Sequence, residues 1–213
     1  MITVVITGTA TEIGKTWVAT RVIERLKAAG LEIAARKPAQ SFEAGDTVTD
    51  AHLLAAASGE PVEKVCPLHR WYEVAMAPPM AAEVLGRPSF TMADLVSENV
   101  PGPVDGVMII EGAGGPLSPI AADGDTTDLA RAHSADLVVL VAEAGLGTIN
   151  AVRLSALAFH GFRLIVVLNR FDTSNELHLR NKGWLEGLGF TLSIDPSEVA
   201  SQIESDLARH LAH

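Results

Sequence analysis

Cysteine, aromatic residues and positive charge are all scarce in this sequence of 213 residues. A single cysteine, Cys66, excludes an intrachain disulfide framework and a metal site built from a cysteine cluster. The formal net charge of -10 argues against a nucleic-acid partner, because such binding relies on a basic surface. Small anions can still bind at local sites despite the negative net charge. A single free cysteine is consistent with a reducing compartment.

Long hydrophobic runs are also missing. No apolar stretch approaches the roughly 20 residues that a helix needs to span a bilayer. The N-terminal run from Met1 to Gly8 lacks the basic region of a signal peptide. We therefore expect no membrane association and a cytoplasmic location.

What the sequence has in abundance is small and branched aliphatic residues. Hydrophobic residues make up 48% of the chain and aromatic residues only 5%, a balance typical of a parallel sheet packed between helices. The length favours one compact domain. The prediction is an α/β fold, one domain spanning 1–213, with a mostly parallel β-sheet flanked by helices on both faces.

Short apolar runs alternate with amphipathic stretches along the chain. The runs predicted as buried strands are Ile2 to Ile6, Leu31 to Ala35, Val107 to Ile110, Leu137 to Ala142 and Leu164 to Leu168. The predicted helices are Lys15 to Ala29, Thr49 to Ala57, Thr148 to His160 and Glu176 to Leu188. The proline-rich stretch from Pro61 to Pro103 is predicted as short helices and loops. Because ligands of such sheets bind at the carboxyl ends of the strands, the residues after each strand are the candidates for a site.

The segment after the first predicted strand carries a phosphate-loop pattern, Gly8-Thr9-Ala10-Thr11-Glu12-Ile13-Gly14-Lys15-Thr16. Its glycines let backbone N–H groups turn toward a phosphate, Lys15 can reach the β- and γ-phosphates, and Thr16 can ligate Mg²⁺. The alternative is a glycine-rich turn that binds nothing. The strand before the loop and the helix after it favour a P-loop nucleotide site. The predicted nucleotide-binding residues are Glu12, Ile13, Gly14, Lys15 and Thr16.

Three more segments with chemically useful side chains follow predicted strands. They are Lys37-Pro38-Ala39-Gln40-Ser41, Glu111-Gly112-Ala113-Gly114-Gly115 and Gly145-Leu146-Gly147-Thr148-Ile149-Asn150. A phosphate loop alone does not decide the chemistry, since pumps, switches and synthetases share it. These three segments must therefore decide among pumps, switches and synthetases.

Together the four segments resemble the dethiobiotin synthetase family. Its members carry Gly-Thr-x-Thr-Glu-x-Gly-Lys-Thr, a Lys-Pro pair, Glu-Gly-Ala-Gly-Gly and Gly-Thr/Cys-Ile/Leu-Asn in this order. The resemblance covers the chain from about Thr3 to Asn169. It implies a P-loop ligase that uses ATP as co-substrate and Mg²⁺ as cofactor. The implied reaction carboxylates 7,8-diaminopelargonate with CO₂ and closes the ureido ring of dethiobiotin, a step of biotin biosynthesis.

The resemblance also implies roles for single residues. Lys37, Lys15 and Thr11 look like the catalytic residues around a carbamate and the γ-phosphate, and Ser41 and Gly112 look like substrate-binding residues. A lysine that follows a strand is ordinarily a solvated surface residue. Only the neighbouring motif residues Pro38 and Ser41 favour a catalytic role for Lys37. We expect both lysines to lie at strand ends rather than in the core.

The implied Mg²⁺ ligands are Thr16, Asp50 and Glu111, oxygen donors that suit a hard cation. Asp46 is an alternative to Asp50, which is preferred because it directly precedes the helical run Ala51 to Leu54. A helix cap is the other ordinary role for Asp50.

The fourth segment opens a helix, where free N–H groups favour an anion. In the family the equivalent helix start receives the substrate's carboxylate across a dimer interface. The resemblance therefore implies a homodimer with a shared active site, in which Gly147, Thr148, Ile149 and Asn150 bind substrate. An ordinary helix capped by Thr148 is the alternative.

Two positions bear on specificity. An asparagine at the place of Asn169 contacts the nucleotide base in the family, whereas the spacing of Asn169 and Asp172 also resembles the guanine-binding pattern of GTPases. ATP is the favoured nucleotide. Phe42 stands where many family members have glycine, and its bulky ring leaves the identity of the amine substrate undecided.

Two other functions share parts of the pattern. An amidoligase related to cobyrinate amidating enzymes has the same fold, but its chemistry usually takes ammonia from an attached glutaminase domain. A partitioning or positioning ATPase usually has a second lysine early in the loop, where this chain has Thr9 and Ala10. The acidic balance also disfavours the docking surface that such an ATPase needs.

Overall fold

The structure is a computed structural model that describes residues 1–99 and 101–212. Its strands are β1 (Ile2–Gly8), β2 (Ile33–Arg36), β3 (Gln40–Ser41), β4 (Trp71–Tyr72), β5 (Val107–Glu111), β6 (Pro119–Ala121), β7 (Gly124–Asp125), β8 (Leu137–Glu143), β9 (Leu164–Asn169) and β10 (Thr191–Ser193). Six of them form one sheet in the order β10-β9-β8-β1-β5-β2. All the neighbouring strands in this sheet pair in parallel.

The helices are α1 (Lys15–Ala28), α2 (Asp50–Ser58), α3 (Val62–Val65), α4 (Pro78–Val84), α5 (Met92–Glu98), α6 (Thr126–Ala132), α7 (Thr148–Ala158), α8 (Glu176–Gly187) and α9 (Pro196–Leu211). A single 3₁₀ turn, Leu68–Arg70, lies between α3 and β4. The central strands are thus separated along the chain by helical segments, as a parallel sheet requires.

Helices cover both faces of the sheet because the side chains of each strand alternate between them. On β1, Val4 and Ile6 face a core cluster shared with α1, α2 and α9, whereas Val5 faces a second cluster. The second cluster includes Leu95 of α5 and Leu129 of α6. A third cluster packs α7 and α8 against β8 and β9. The predicted α/β fold class is confirmed.

The predicted strands and helices are found with shifts of at most two residues at their ends. The stretch from Pro61 to Pro103 contains short elements, as expected, except that position 100 lies outside the described residues. Five pieces of structure were not predicted: β10, α6, α9, the β3–β4 pair and the β6–β7 hairpin. Within residues 1–99 and 101–212, no helix is both long and apolar enough to cross a membrane.

The carboxyl edge of the sheet gathers polar side chains from several strands. Glu111 ends β5 and pairs in register with Ile6 of β1, next to the start of the phosphate loop. Asn169 ends β9 opposite Glu143 of β8. Lys37 follows β2 directly. Parallel sheets bind ligands at this edge, and the candidate site lies here.

Candidate functional site

The phosphate loop connects β1 to α1 and adopts a strained, concave conformation. Glu12 and Gly14 have φ values of 59° and 90°, both in the left-handed region. A Cβ atom at Gly14 would lie 2.2 Å from Nδ2 of Asn169, so no other residue fits there. Turns of this kind present successive N–H groups to an anion. The predicted nucleotide-binding residues from Glu12 to Thr16 therefore lie in a loop suited to phosphate.

A lysine and two carboxylates meet beside this loop. Nζ of Lys37 lies 2.6 Å from Oε1 of Glu111 and 2.8 Å from Oδ2 of Asp50. The Lys37 ammonium also donates to the carbonyl oxygen of Gly112 at 3.2 Å. Oγ1 of Thr16 lies 2.8 Å from Oδ1 of Asp50 and 3.0 Å from Oε1 of Glu111. Four elements, α1, β2, α2 and β5, thus bring their end residues to one point.

The two lysines are more deeply placed than expected. Lys37 is 3% exposed and Lys15 is 7% exposed, so both side chains are buried. The expected position at a strand end is found for Lys37, which follows β2 directly, but the expectation that the two lysines lie outside the buried interior is wrong. Lys37 tolerates burial because it is paired with two carboxylates, a requirement for any buried charge. Lys15 donates to the carbonyl oxygen of Ala10 at 3.2 Å.

The charges of these groups depend on each other. Burial lowers the pKa of Lys37, but the negative charges of Asp50 and Glu111 outweigh it, and the net pKa is raised. The Lys37 ammonium in turn lowers the pKa of Asp50 to about 2. Burial, followed by repulsion from Lys37, lowers the pKa of Lys15. A bound anion would relieve that repulsion, so the two cations favour an anionic ligand between them.

The oxygen atoms around Thr16 fit a divalent cation. Thr16 has one hydroxyl proton but two carboxylate neighbours, so one of these close oxygen pairs has no hydrogen between them. Among the described residues, Oε2 of Glu111 is buried without a hydrogen-bond partner. Burial raises the pKa of Glu111, and the nearby Lys37 ammonium offsets this effect only in part. Carboxylate and hydroxyl oxygens are the donors that Mg²⁺ prefers.

Asp50 rather than Asp46 reaches this cluster. Asp50 is the first residue of α2 and not its cap, because Thr49 is the N-cap and its backbone N–H donates to Nδ1 of His52 at 3.2 Å. In the described part of the chain, the carboxylate of Asp46 contacts neither Thr16 nor Lys37, although Asp46 lines the adjacent cavity. The cap alternative for Asp50 is therefore wrong.

A cavity of about 880 Å³ opens in front of the phosphate loop and the lysine cluster. Predicted site residues that line it are Thr11, Glu12, Gly14, Lys15, Thr16, Lys37, Ser41 and Asp50. The hydroxyl of Ser41 donates to the carbonyl oxygen of Met76, which leaves its lone pairs free to accept. Phe42 forms part of the wall and packs edge-on against Trp71, with ring centroids 6.0 Å apart. The cavity combines a charged end and an apolar side.

Two groups of predicted substrate-binding residues lie elsewhere. The N–H group of Gly112 donates to the carbonyl oxygen of Ile6 at 2.9 Å, and its own carbonyl accepts from Lys37. Its neighbours Ala113 and Gly114 line the cavity instead. The residues at the start of α7, Gly147, Thr148, Ile149 and Asn150, are not among those that line the cavity.

The α7 start is not capped by Thr148. Its N-cap residue is Gly147, with φ of 90°, which forms no side-chain cap, and the N–H of Thr148 donates to the carbonyl oxygen of Gly145 at 3.4 Å. The hydroxyl of Thr148 is buried without a hydrogen-bond partner among the described residues. The first N–H groups of an α-helix have no acceptor within the helix. The helix start therefore retains donors for an anion.

A second cavity of about 420 Å³ adjoins the phosphate loop on the side of β9. It is lined by Gly14, Trp17, Val167, Asn169, Arg170, Phe171, Ile194 and Pro196. Asp172 is not among these residues, and its carboxylate accepts from the N–H and the hydroxyl of Ser174, at 2.8 and 2.7 Å. The aspartate that a guanine site needs thus lies outside the lining of this cavity, with its Oδ1 bonded to Ser174.

Comparison with known proteins identifies the family. A family model described as an AAA domain (AAA_26) matches residues 2–190. An ATP-dependent dethiobiotin synthetase BioD from Anaeromyxobacter dehalogenans (strain 2CP-C) is 38% identical over 170 residues, which cover 78% of this chain and 75% of the relative. The chain belongs to the dethiobiotin synthetase family. This is a family of ATP-dependent ligases, and the predicted resemblance is confirmed.

Other dethiobiotin synthetases give the same result. A BioD protein from Brachyspira hyodysenteriae is 32% identical over 188 residues, covering 85% of both chains. Among solved structures, a plasmid partition protein from Borrelia burgdorferi covers 99% of this chain at a TM-score of 0.51 and 13% identity. This chain covers 98% of that partition protein. At this identity the likeness shows the P-loop fold alone.

Several residues of this dethiobiotin synthetase family member were not predicted from its motifs. Trp17, Arg170, Phe171 and Pro196 line the second cavity. Gln40 is buried at the first cavity, where its Oε1 accepts from the N–H of Ala51 at 3.1 Å. Pro196 carries a local signal, because it follows Asp195 in the pattern of a helix start. Gln40 lies within the Lys37-Pro38-Ala39-Gln40-Ser41 segment, and Arg170 and Phe171 lie between Asn169 and Asp172. The sequence assigns these three residues no role, and their places become visible only through their contacts.

Proposed function

We propose that this chain catalyses the ATP- and Mg²⁺-dependent carboxylation of 7,8-diaminopelargonate with CO₂ and the ring closure to dethiobiotin, with release of ADP and phosphate. The observation that carries the proposal is the meeting of Lys15 and Lys37 at the junction of the phosphate loop and the larger cavity. A carbamate and a triphosphate both bring negative charge, and two buried cations at one place suit that pair.

The proposed sequence has three steps. One amine of the substrate attacks CO₂ and loses a proton, giving a carbamate. A carbamate oxygen then attacks the γ-phosphorus, and ADP leaves with the electrons of the broken P–O bond. The second amine attacks the carbonyl carbon of the mixed anhydride, and phosphate departs as the ureido ring closes.

The chain's own residues contribute mainly placement and charge. The ammonium of Lys37, held by Asp50 and Glu111, would face the carbamate oxygens, and Lys15 would face the γ-phosphate. Thr11 and Ser41 line the same cavity and offer hydroxyls to the substrate. Because these groups are preplaced, they stabilise the developing charge without reorganising during the reaction.

Thr16, Asp50 and Glu111 are the proposed ligands of Mg²⁺. Two observations on the described residues support this assignment. Oε2 of Glu111 is buried without a hydrogen-bond partner, and the single hydroxyl proton of Thr16 lies between two carboxylates. Bound Mg²⁺ would supply charge neutralisation for the phosphate oxygens. These three residues would leave most of the coordination positions of a bound Mg²⁺ to waters and phosphate oxygens, as is usual for Mg²⁺ at nucleotide sites.

We infer that the nucleotide is ATP rather than GTP. Nδ2 of Asn169 donates one of its two hydrogens to the carbonyl oxygen of Ile13 at 2.7 Å, which leaves its Oδ1 and its second amide hydrogen to meet a base. An acceptor suits the exocyclic amino group of adenine. Asp172, which a guanine site would need, does not line the second cavity, and its Oδ1 already accepts from the N–H and the hydroxyl of Ser174.

A homodimer is the proposed assembly, and the surface of α7 supports it. Leu146, Leu154 and Leu157 are 92%, 60% and 73% exposed. Apolar side chains grouped on one exposed surface are typical of an interface. In such a dimer the start of α7 would reach the partner's cavity and hold the substrate carboxylate with Thr148, Ile149 and Asn150.

The double variant Leu154→Glu, Leu157→Glu tests this assembly. We expect the wild type to sediment as a dimer and the variant as a monomer, since burying two carboxylates in an apolar interface is costly. The KM for the diamine should rise as well. Leu68→Glu is the matched control, because Leu68 is equally exposed, at 62%, but lies outside α7. A monomeric wild type would contradict the assembly.

The activity itself is tested by the dependence of ADP formation on the other substrates. We expect purified protein with ATP and Mg²⁺ to release ADP only when both diaminopelargonate and bicarbonate are present. ADP release that ignores the diamine would favour a partitioning-type ATPase. Release that depends on ammonia and a different carboxylic acid would favour an amidoligase.

A further inference from the structure

Two consecutive residues at the end of β9 hold two consecutive carbonyl groups of the phosphate loop. Nδ2 of Asn169 donates to the carbonyl oxygen of Ile13 at 2.7 Å. Nη2 of Arg170 donates to the carbonyl oxygen of Glu12 at 3.1 Å. These contacts join segments more than 150 residues apart in the chain. No sequence motif of phosphate loops includes them.

The backbone at this contact is strained on both sides. Glu12 and Arg170 have φ values of 59° and 54°, in the left-handed region that disfavours side chains with a Cβ atom. Ser134 is the only other non-glycine residue with positive φ in the described chain. Strained conformations persist where the surroundings enforce them, and they concentrate at functional sites. Two of the three such residues are joined here by a hydrogen bond.

Arg170 is itself held in place. Its guanidinium forms an ion pair with Glu143, the last residue of the neighbouring strand β8. Asn169 sits in a gap that exists only because residue 14 is glycine, since a Cβ atom there would lie 2.2 Å from Nδ2. The end of the sheet thus contacts the loop at two consecutive carbonyl groups, one through the buried Asn169 and one through the exposed Arg170.

We propose that Asn169 and Arg170 are positioning residues that set the phosphate loop in its anion-binding conformation. The peptide group is planar, and in its trans form the C=O and N–H bonds point in opposite directions. Holding the carbonyl groups of Glu12 and Ile13 toward β9 therefore aims the N–H groups of Ile13 and Gly14 away from it, toward the phosphate side. Without the two donors, either peptide could turn and present a carbonyl oxygen to the anion.

The proposal rests on a phosphate ligand at the loop, and it predicts that Arg170 acts on the phosphates and not on the base. Calorimetry with ATP and with inorganic tripolyphosphate separates the two. Arg170→Ala should weaken the binding of both ligands by the same factor, about 3- to 10-fold, as expected for loss of one ordinary hydrogen bond. Arg170→Lys, which keeps a donor, should recover part of the affinity. Arg170→Asn relaxes the left-handed backbone but cannot reach Glu12, so it should resemble the alanine variant.

Arg180→Ala is the control, since Arg180 pairs with Glu176 on the exposed surface of α8 and should leave both affinities unchanged. Weakened ATP binding with unchanged tripolyphosphate binding would assign Arg170 to the base and overturn the proposal. Unchanged binding of both ligands, or a wild-type loop that fails to hold tripolyphosphate, would also overturn it. Because binding is measured without turnover, a protein that binds normally but makes no dethiobiotin would count against the proposed reaction only.

Discussion

Lys37→Ala is expected to lower kcat by about 100- to 1000-fold, the usual effect of removing one preplaced electrostatic donor. Lys37 is the buried ammonium between the two carboxylates, and its raised pKa keeps it charged through the neutral range. Steady-state rates at saturating ATP and diamine measure the effect. Lys182→Ala is the matched control, because Lys182 forms only a surface pair with Glu186 and should keep its rate.

The same substitution should make stability depend on pH. Without the Lys37 ammonium, Glu111 remains buried beside Asp50, and both burial and that neighbouring charge raise the pKa of Glu111. A carboxyl group with a raised folded-state pKa contributes stability below its unfolded pKa and loses it as pH rises through the folded value. Urea unfolding should therefore show that the variant loses more unfolding free energy, relative to the wild type, at pH 8 than at pH 5.

For the rate prediction, a folded Lys37→Ala variant with a near-normal kcat would show that Lys37 does not belong to the site.

Glu111→Gln is expected to raise the Mg²⁺ concentration needed for half-maximal activity by about 10- to 100-fold or more. Loss of a residue that only supports a metal ligand typically has an effect of this size, and Glu111 is proposed as a ligand itself. The amide keeps the size of the side chain but removes the charge that the proposed ion needs. High Mg²⁺ should restore part of the rate. The KM for the diamine should change much less, because the substitution acts on the metal and the nucleotide.

Asp50→Asn and Asp46→Asn form a matched pair for the metal assignment. Asp50 contacts Thr16 and Lys37, so its variant should share the raised Mg²⁺ requirement. Asp46 lines the cavity without these contacts, and its variant should behave like the wild type. Equal magnesium dependence in the wild type, Glu111→Gln and Asp50→Asn would show that the metal assignment is wrong.

Local patterns were sufficient to predict the elements with long, buried apolar runs. The strands that became β1, β5, β8 and β9 were predicted because a strand buried on both faces is apolar throughout. The three-residue β10 is too short for any periodicity to stand out. In contrast, α9 carries Val199, Ile203 and Leu207 at a helical spacing, so its pattern was present in the sequence.

The candidate site was predictable where a motif encodes backbone geometry and less so where contacts cross the fold. The phosphate loop is one continuous segment of the chain, and its glycines and lysine are enough to predict it from the sequence. The choice between Asp46 and Asp50 depends on how α2 packs against α1, which sequence position does not show. The burial of Lys37 follows from its meeting with Glu111, 74 residues away, and the support that Arg170 gives to Glu12 spans 158 residues.

The most direct test of the proposed function is the fate of isotopically labelled bicarbonate. Purified protein supplied with ATP, Mg²⁺, 7,8-diaminopelargonate and ¹³C-bicarbonate should yield dethiobiotin that carries the label at its ureido carbon, as measured by mass spectrometry. One ADP should form for each labelled product. ATP consumption without labelled dethiobiotin, or labelled product that forms without ATP, would contradict the account.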